Sequence, residues 1–296
     1  MNHEPRGTST QTLATGQIPE PVRSAFKREQ SLFTNRQYER ALILLGDLLA
    51  RPALTPRQRF EALCRRAECL ESLKRPRAAV ALLREMTRAF PCEPLGFSLL
   101  GEYLYRVNED SRGALAALKR AASLAPRDSD TFWWIGQVLQ YGKGDLKRAR
   151  RYYGRALEAN PRYPAALDSL ASLAEAQGQW VDAVDWRKRH YRLTRQAADL
   201  VSLADLYLKL GNPAAARKYA RSAARRDPGT PGVWLELAKA NAALGRKKAA
   251  VKSLARFARL VDPKAGPFVS ARDFAFLEPV VSIPAVRRLI PRLPTQ

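Results

Sequence analysis

The fold is decided by residues 199–228, DLVSLADLYLKLGNPAAARKYARSAARRDP, which divide into two amphipathic halves. In the first half, Leu200, Leu203 and Tyr207 recur at helical spacing, so their side chains share one face of a helix. Gly211 follows the last of these residues, at a place where glycine commonly ends a helix. The first half therefore predicts a short helix that ends in a tight turn.

The second half uses alanine where the first half uses leucine. Pro213 suits the first turn of a helix. About one alanine per turn then follows, at Ala216, Ala220 and Ala223, and such small side chains let two helix backbones approach closely. Pro228 ends the unit because proline cannot continue a helix. Neither helix can bury its apolar face alone, so the unit predicts neighbours of the same kind.

The same unit recurs along most of the chain. Its closing prolines are spaced 35, 35, 67 and 35 residues apart, and they are Pro91, Pro126, Pro161, Pro228 and Pro263. A small residue on the first helix keeps this period, at Ala67, Gly101, Gly136, Ala171, Ala204 and Ala238. The alanines of the second helix also keep it, at Ala41, Ala79, Ala114, Ala149, Ala183, Ala216 and Ala250.

A period of about 34 residues with two helices per unit is typical of tetratricopeptide repeats, and the sequence resembles that family over about four fifths of its length. Seven repeats are predicted, beginning near Val22, Phe60, Leu95, Asp130, Pro164, Ala197 and Pro231. The seventh has family residues at Trp234, Leu237, Ala238, Gly245, Ala250 and Pro263. The fourth has one extra residue in its turn, and residues 141–149, YGKGDLKRA, resemble Sel1-like repeats. The first departs from the pattern, because Glu29 occupies the position of a small residue.

The resemblance implies an all-α fold, a right-handed α-solenoid (superhelix) of antiparallel helix pairs over residues 22–263. We expect residues 1–21 to be disordered, since they are poor in large apolar side chains. The last repeat of a solenoid must have its open face covered, so residues 264–296 are predicted to form a C-terminal capping segment. Helices are expected at 270–277 and 285–290, and the side chains expected to pack on the seventh repeat are Phe274, Phe276 and Leu277.

Charge is the unusual feature of the composition. Lys and Arg number 51 and Asp and Glu 28, which gives a net charge of +23. Such an excess attracts polyanions, although arginines spread over solvated helix faces would give the same total. No apolar stretch reaches the roughly 20 residues of a membrane span, and no signal peptide begins the chain, so a cytoplasmic location is expected. The three cysteines, Cys64, Cys69 and Cys92, are expected to be buried or half-buried in a reducing compartment.

No catalytic or metal-binding pattern stands out. The two histidines are His3, near the N-terminus, and His190, which lies in a basic run and is expected to be solvated or half-packed. Zinc-ligand spacing, a phosphate-binding loop and a nucleophile elbow are all missing from the sequence. We therefore expect no enzymatic activity, no cofactor and no metal.

In the family, first helices line a concave groove and second helices form the convex side. The positions that this geometry assigns to the groove include eight acids, Glu61, Glu68, Glu71, Glu102, Asp130, Asp168, Glu175 and Asp205. They include four bases, Arg23, Arg106, Lys209 and Lys239. The groove is thus predicted to be mildly acidic and the convex side strongly basic.

Two sets of candidate binding residues follow from this assignment of positions to the groove and to the convex side. The predicted partner-binding groove consists of Phe26, Glu68, Glu102, Tyr105, Trp133, Gln137, Tyr141, Asp168 and Asp205. The predicted basic convex face includes Lys147, Arg148, Arg151, Arg187, Lys188, Arg217, Lys218, Arg221, Lys247 and Lys248.

Two functions remain open at this point. The first is a non-catalytic protein–protein interaction scaffold whose groove binds a neutral or basic segment of a partner through its aromatic side chains. The family's clamp for the C-terminal carboxylate of chaperone peptides is not matched here. The alternative is binding of a polyanion, either nucleic acid or an anionic surface, through the basic convex face.

Overall fold

The computed structural model describes residues 20–52, 54–108, 110–261 and 271–281, together with residues 283 and 286. All the regular structure in this part of the chain is helical. The chain forms two compact units, an N-terminal unit of residues 1–144 and a C-terminal unit of residues 145–296. The predicted disordered segment and the predicted helix at 285–290 fall outside the described residues, apart from residues 20, 21 and 286.

The N-terminal unit is a series of helix pairs. Its helices are α1 (Glu20–Thr34), α2 (Tyr38–Leu49), α3 (Pro56–Ser72), α4 (Pro76–Ala89), α5 (Pro94–Asn108), α6 (Ser111–Leu124) and α7 (Ser129–Gln137). A π-helical turn, Val138–Gly142, extends α7. Each helix packs on the next along the chain, so neighbours bury each other's apolar faces.

The C-terminal unit repeats the arrangement. Its helices are α8 (Leu146–Ala159), α9 (Pro164–Ala176), α10 (Trp180–Thr194), α11 (Ala197–Lys209), α12 (Pro213–Arg226), α13 (Pro231–Ala243), α14 (Lys247–Leu260) and α15 (Ala271–Val281). The odd-numbered helices up to α13 are the first helices of the predicted repeats, and the even-numbered ones are the second helices. These helix pairs confirm the all-α repeat fold.

Turn chemistry fixes where the first helices end. Gly178, Gly211 and Gly245 follow α9, α11 and α13 with φ of +70°, +71° and +68°, a left-handed conformation that glycine adopts without steric cost. The turns after α1 and α3 place Arg36 and Lys74 in the same region, at φ of 57° and 58°. The turn after the first helix therefore has a residue in the left-handed conformation in both units, with glycine there in the C-terminal repeats and Arg36 or Lys74 in the N-terminal ones.

Alanine packing is as the sequence predicted. The repeating alanines of the second helices have no exposed surface, and they are Ala41, Ala79, Ala114, Ala149, Ala183, Ala216 and Ala250. On the first helices, Gly101 of α5 lies so close to α6 that an added Cβ would come within 2.5 Å of Leu118 Cγ and 3.0 Å of the Ala114 carbonyl oxygen. The small residues thus set the distance between paired helices.

Replacing Gly101 with alanine is expected to lower the free energy of unfolding by about 1–3 kcal/mol, because the added methyl group overpacks the α5–α6 contact. Gly154 is the matched control, since it also lies inside a helix but an added Cβ there meets nothing within 4 Å. Gly154→Ala should be neutral or stabilise by up to about 1 kcal/mol. Chemical denaturation of the two variants tests this, and equal stabilities would contradict the close approach.

The C-terminal helix is longer than the sequence predicted, since α15 continues through Pro279 to Val281. Leu277 is fully buried against α13 and α14, as predicted, and Phe276 packs against residues of α11, α12 and α13. The side chain of Phe274 lies outside the described part of the structure. Cys64 and Cys69 are buried as expected, whereas Cys92 is exposed, which corrects the expectation for that residue.

Candidate functional site

Three of the predicted aromatic anchors of the N-terminal unit lie in or near the π turn and the helix that it extends. Trp133 and Gln137 lie one turn apart on α7, and Tyr141 follows within the π turn. Tyr141 is 64% exposed, a high value for a large aromatic residue, while Trp133 and Gln137 are half-buried. Tyr105 of α5 contacts this turn, because its Cε2 lies only 3.1 Å from the place that a Cβ on Gly142 would take. We call Tyr105, Trp133 and Tyr141 the aromatic patch.

The extra residue that the sequence shows in the fourth repeat explains the π turn. A π turn accommodates one more residue than an α-helical turn, and such turns are frequent at functional sites. Here it precedes Gly144, which has φ of +66°, and it places Tyr141 at the surface. The neighbouring Trp134 is buried, as predicted, with its ring edge-on to Trp133 at 4.8 Å between centroids.

Phe26 is a correction to the predicted groove. Its ring is buried in the core formed by α1, α2 and α3, and the guanidinium of Arg65 covers it at 5.1 Å from the ring centroid. The helical period had placed Phe26 on the groove side of α1. Residues of α2 and α3 share this core with Phe26, so its ring is not an exposed anchor.

The carboxylates predicted in the groove of the N-terminal unit lie in networks with arginine. Arg106 pairs with Glu71 at 2.7 Å and with Glu102 at 3.0 Å, and Glu102 is itself buried. Arg65 pairs with Glu61 at 3.0 Å and also contacts Glu29. Glu68 is half-buried. Much of the predicted acidity is therefore neutralised inside the unit.

A second network, the Arg187 cluster, consists of Arg187, Asp168, Glu175, Asp199 and His190. The Arg187 guanidinium lies 2.5 Å from Asp168, 2.8 Å from Glu175 and 3.6 Å from Asp199. His190 Nδ1 lies 2.8 Å from the Asp199 carboxylate, which is only 2% exposed. Burial works to lower the pKa of Arg187, but hydrogen bonds and charge attraction from Glu175 and Asp168 outweigh it and raise that pKa.

This cluster overturns two predictions. Arg187 was placed on the basic convex face and His190 was expected to be solvated or half-packed, yet both are buried. The physical reason is helical spacing: Arg187 and His190 lie four and seven residues after Ala183, so they share its inward face. That spacing was visible in the sequence and would have identified both residues as buried.

A third network, the Lys239 cluster, consists of Lys239, Asp205, Glu236 and Asp273. Lys239 is 1% exposed, and its Nζ lies 2.6 Å from Glu236, 2.6 Å from Asp273 and 3.4 Å from Asp205. Burial raises the pKa of Glu236 to about 7, even though Lys239 opposes the shift. Asp205 also pairs with Lys209 at 2.5 Å. Asp168 and Asp205, both predicted groove residues, therefore have cationic partners within the chain.

Positive charge is concentrated on the second helices of the C-terminal unit. Together α8, α10, α12 and α14 contain nineteen Lys and Arg but only three Asp and Glu, and α12 and α14 contain no acid at all. The second helices α2, α4 and α6 of the N-terminal unit contain seven bases and three acids. The predicted basic face is thus much stronger in one unit than in the other.

Nine of the ten residues predicted on this face are at least partly accessible. The exposed ones are Lys147, Arg148, Arg151, Lys218, Arg221, Lys247 and Lys248. Lys188 is half-buried, with its Nζ 5.5 Å from the centroid of the Tyr207 ring. Arg217 is also half-buried and donates a hydrogen bond of 3.0 Å from Nε to Asn241. We call the seven exposed residues the basic surface.

Comparison with known protein families agrees with the helix pairs. One tetratricopeptide-repeat model matches residues 30–94 and 139–198, and a second matches residues 197–240. Together these matches cover more than half of the chain. The chain belongs to the tetratricopeptide-repeat family.

Solved structures share the fold of this tetratricopeptide-repeat protein at low sequence identity. The C-terminal part of a repeat protein from Cytophaga hutchinsonii superposes with a TM-score of 0.64 at 18% identity, covering 85% of this chain and 99% of that one. PilW, a type IV pilus biogenesis factor, gives 0.60 at 21% identity, covering 73% and 98%. YrrB, described as a repeat protein with an unusual peptide-binding site, gives 0.54 at 17% identity, covering 62% and 93%.

One curated relative matches a part of this tetratricopeptide-repeat protein. It is a probable biofilm formation methyltransferase, WspC, from Pseudomonas putida, 32% identical over 87 residues. The match covers 29% of this chain and only 20% of WspC, so the chain spans about a fifth of that protein's length. The likeness thus concerns a short segment of WspC.

Two further properties concern the described residues alone. None of the helices there is both long enough and apolar enough to cross a bilayer. Nor do His, Cys, Asp and Glu side chains in that part of the chain form a group that could hold a metal ion. The cytoplasmic location expected for this tetratricopeptide-repeat protein stays a prediction.

Proposed function

We propose that this protein is a non-catalytic interaction scaffold whose N-terminal unit binds a segment of a partner protein through the aromatic patch. The main support is Tyr141, an exposed tyrosine within a π turn that Tyr105 contacts and that extends the helix of Trp133. Tyrosine and tryptophan are enriched among the residues that dominate binding energy at interfaces. Proteins of this family are in general interaction scaffolds, and the similarly folded YrrB is described as having a peptide-binding site.

The partner segment that we propose is neutral or basic. Glu71 on α3 and Glu102 on α5 both pair with Arg106, at 2.7 Å and 3.0 Å. Glu71 keeps 37% of its side chain exposed beside that arginine, so a cation on the partner could approach it. An exposed carboxylate at Glu71 thus favours a cation on the partner over an anion.

Replacing Trp133 and Tyr141 together with alanine is expected to weaken binding by at least about thirtyfold, which corresponds to the loss of about 2 kcal/mol that a single interface hot spot contributes. The probe is a set of peptides selected against the full chain from a random library of about twelve residues. Val181→Ala is the matched control, because Val181 is also 64% exposed but lies on α10 of the C-terminal unit. Fluorescence anisotropy measures both variants, and unchanged affinity in the double variant would refute the placement.

A second candidate function, polyanion binding, is favoured by the basic surface of the C-terminal unit. Helices α12 and α14 contain ten Lys and Arg and no acid, which is the pattern expected for contacts to phosphate groups. Binding of a 20-nucleotide oligonucleotide should then weaken steeply between 50 and 200 mM salt, by roughly 10³-fold or more if six phosphates are contacted. Lys218→Glu with Lys248→Glu should abolish binding, whereas the Trp133 and Tyr141 variant should leave it unchanged. A shallow salt dependence would remove this candidate.

A further inference from the structure

The last described helix does not continue the stack of the C-terminal unit. Among the helices that precede them, the first helices α11 and α13 pack chiefly on the second helices α10 and α12 rather than on the preceding first helix. By contrast, α15 packs chiefly on the first helix α13 and much less on α14. Helix α15 therefore lies over the first-helix surface and does not take the place of an eighth first helix.

The buried face of α15 has a regular pattern. Asp273, Phe276, Leu277 and Val280 follow the spacing i, i+3, i+4 and i+7, which places them on one side of a helix. Leu277 and Val280 have no exposed surface, and they share a core with Leu235, Ala238 and Leu254. The residues on the other side, Ala275, Glu278 and Pro279, are exposed.

The contacts of this face extend beyond the last helix pair. Phe276 packs against a small cluster that Leu208 of α11, Ala216 of α12 and Ala240 of α13 form together. Covering the open end of the last pair does not require a side chain that reaches the pair before it. Phe276 therefore packs on a cluster that includes residues of both first helices, α11 and α13, and its ring lies 5.9 Å from Nζ of Lys239.

Asp273, the first residue of this buried face, has a charged partner on α13. Asp273 accepts a hydrogen bond of 2.6 Å from Nζ of Lys239, which is almost completely buried. Lys239 is held in place by Glu236 and Asp205 on the unit's own first helices. The surface thus offers one positioned cation beside an apolar strip, which suits a helix with one acid followed by apolar residues three, four and seven positions later.

We propose that this surface of α13 binds an amphipathic helix of a partner protein, and that α15 is its intramolecular occupant. The partner helix has an acidic residue that pairs with Lys239 and apolar residues in the places of Phe276, Leu277 and Val280. It binds by displacing α15. Helix α15 is suited to displacement because it has only 11 residues and contains Pro279, and isolated helices of that length are marginal. This site is separate from the aromatic patch and does not depend on the proposed function.

The test uses a labelled peptide of residues 270–283, SARDFAFLEPVVSI, as the probe and the full chain as the receptor. In one receptor variant, Leu277→Asp with Val280→Asp disables the buried face of α15. The peptide should bind this variant at least about tenfold more tightly than the unaltered chain, because a tethered competitor no longer occupies the surface. The matched control receptor, Ala275→Asp with Glu278→Lys, changes only exposed residues of α15 and should behave as the unaltered chain.

Two further measurements complete the test: binding of an altered peptide, and a check that the receptor variant is folded. A peptide that carries Asp273→Lys should bind the disabled receptor at least about tenfold more weakly than the original peptide. Equal binding of the original peptide to the disabled and unaltered receptors, or no binding to either, would overturn the proposal. If the double variant loses its helical circular dichroism, Phe276→Ser replaces it, and loss of structure there too would show that α15 is an integral part of the fold. A dimeric unaltered chain in light scattering would assign the surface to a second copy and overturn it as well.

Discussion

Replacing Arg187 with alanine is expected to lower the free energy of unfolding by about 3–5 kcal/mol, the cost of leaving buried charge without its partner. Arg187 is the cation that Asp168, Glu175 and Asp199 share. Without it, the nearly inaccessible Asp199 would depend on His190 and Thr194 for its hydrogen bonds among the residues that the structure describes. Asp168 and Glu175 would lose their cation as well, although the 52% exposed Asp168 is the less affected of the two because water solvates it.

The matched control for this prediction is Arg192→Ala on the same helix. Arg192 is exposed, so its removal should change stability by no more than about 0.5 kcal/mol. Urea denaturation followed by tryptophan fluorescence measures both variants, because Trp180 and Trp186 pack in a core that contains Ala183 and Val184 of the same helix. Equal losses in the two variants would mean that the cluster contributes no specific stability.

Arg65→Ala in the N-terminal unit should lower the free energy of unfolding by a similar amount, about 3–5 kcal/mol. Its partner Glu29 is 2% exposed and lies at the position where the repeat pattern expects a small residue. Arg65 also bonds Glu61 and covers the ring of Phe26, so its loss removes packing as well as charge. The first helix pair would then hold a buried carboxylate without its cation.

The double variant Glu29→Ala with Arg65→Ala separates charge from packing. Removing both partners takes away the unpaired carboxylate, so most of the loss caused by Arg65→Ala should be recovered. Thermal unfolding of the two single variants and the double variant completes a mutant cycle. Additive losses would show that Glu29 and Arg65 do not act as a pair, contrary to the geometry.

The repeat period predicted the helix pairs because it depends on short-range features of the sequence. Turn glycines such as Gly211 and interface alanines such as Ala216 act within one unit, so the chain itself displays them. The predicted starts at Pro164, Ala197 and Pro231 coincide with the starts of α9, α11 and α13. The second repeat begins at Pro56 rather than Phe60, since Thr55 and Gln58 form a capping box there.

The ionic clusters could not be predicted as readily, because their members lie far apart in the sequence. Glu29 and Arg65 are separated by 36 residues, and Lys239 and Asp273 by 34. A helical pattern shows which face a residue lies on but not which charged residue of another helix meets it. The prediction for Arg187 and His190 rests on the run of basic residues around them, which is typical of a solvated helix face.

The aromatic patch was predicted in part. The residues were identified from their position on the first helices, and the structure brings Tyr105 to the turn that contains Tyr141. The extra residue of the fourth repeat was visible, but its accommodation as a π turn rather than a longer loop depends on packing against Ser111 and Tyr105. Likewise, the place of α15 over α13 depends on tertiary contacts that a proline-rich sequence does not display.

The most direct test of the interaction function is site-specific photocrosslinking from the aromatic patch. A photoreactive phenylalanine derivative replaces Tyr141 in one chain and Lys218, on the basic surface, in another. After irradiation in native lysate treated with nuclease, we expect position 141 to give one defined protein adduct that disappears when Trp133 is also replaced by alanine. The account would be contradicted if position 141 gave no adduct while position 218 gave adducts that nuclease removes.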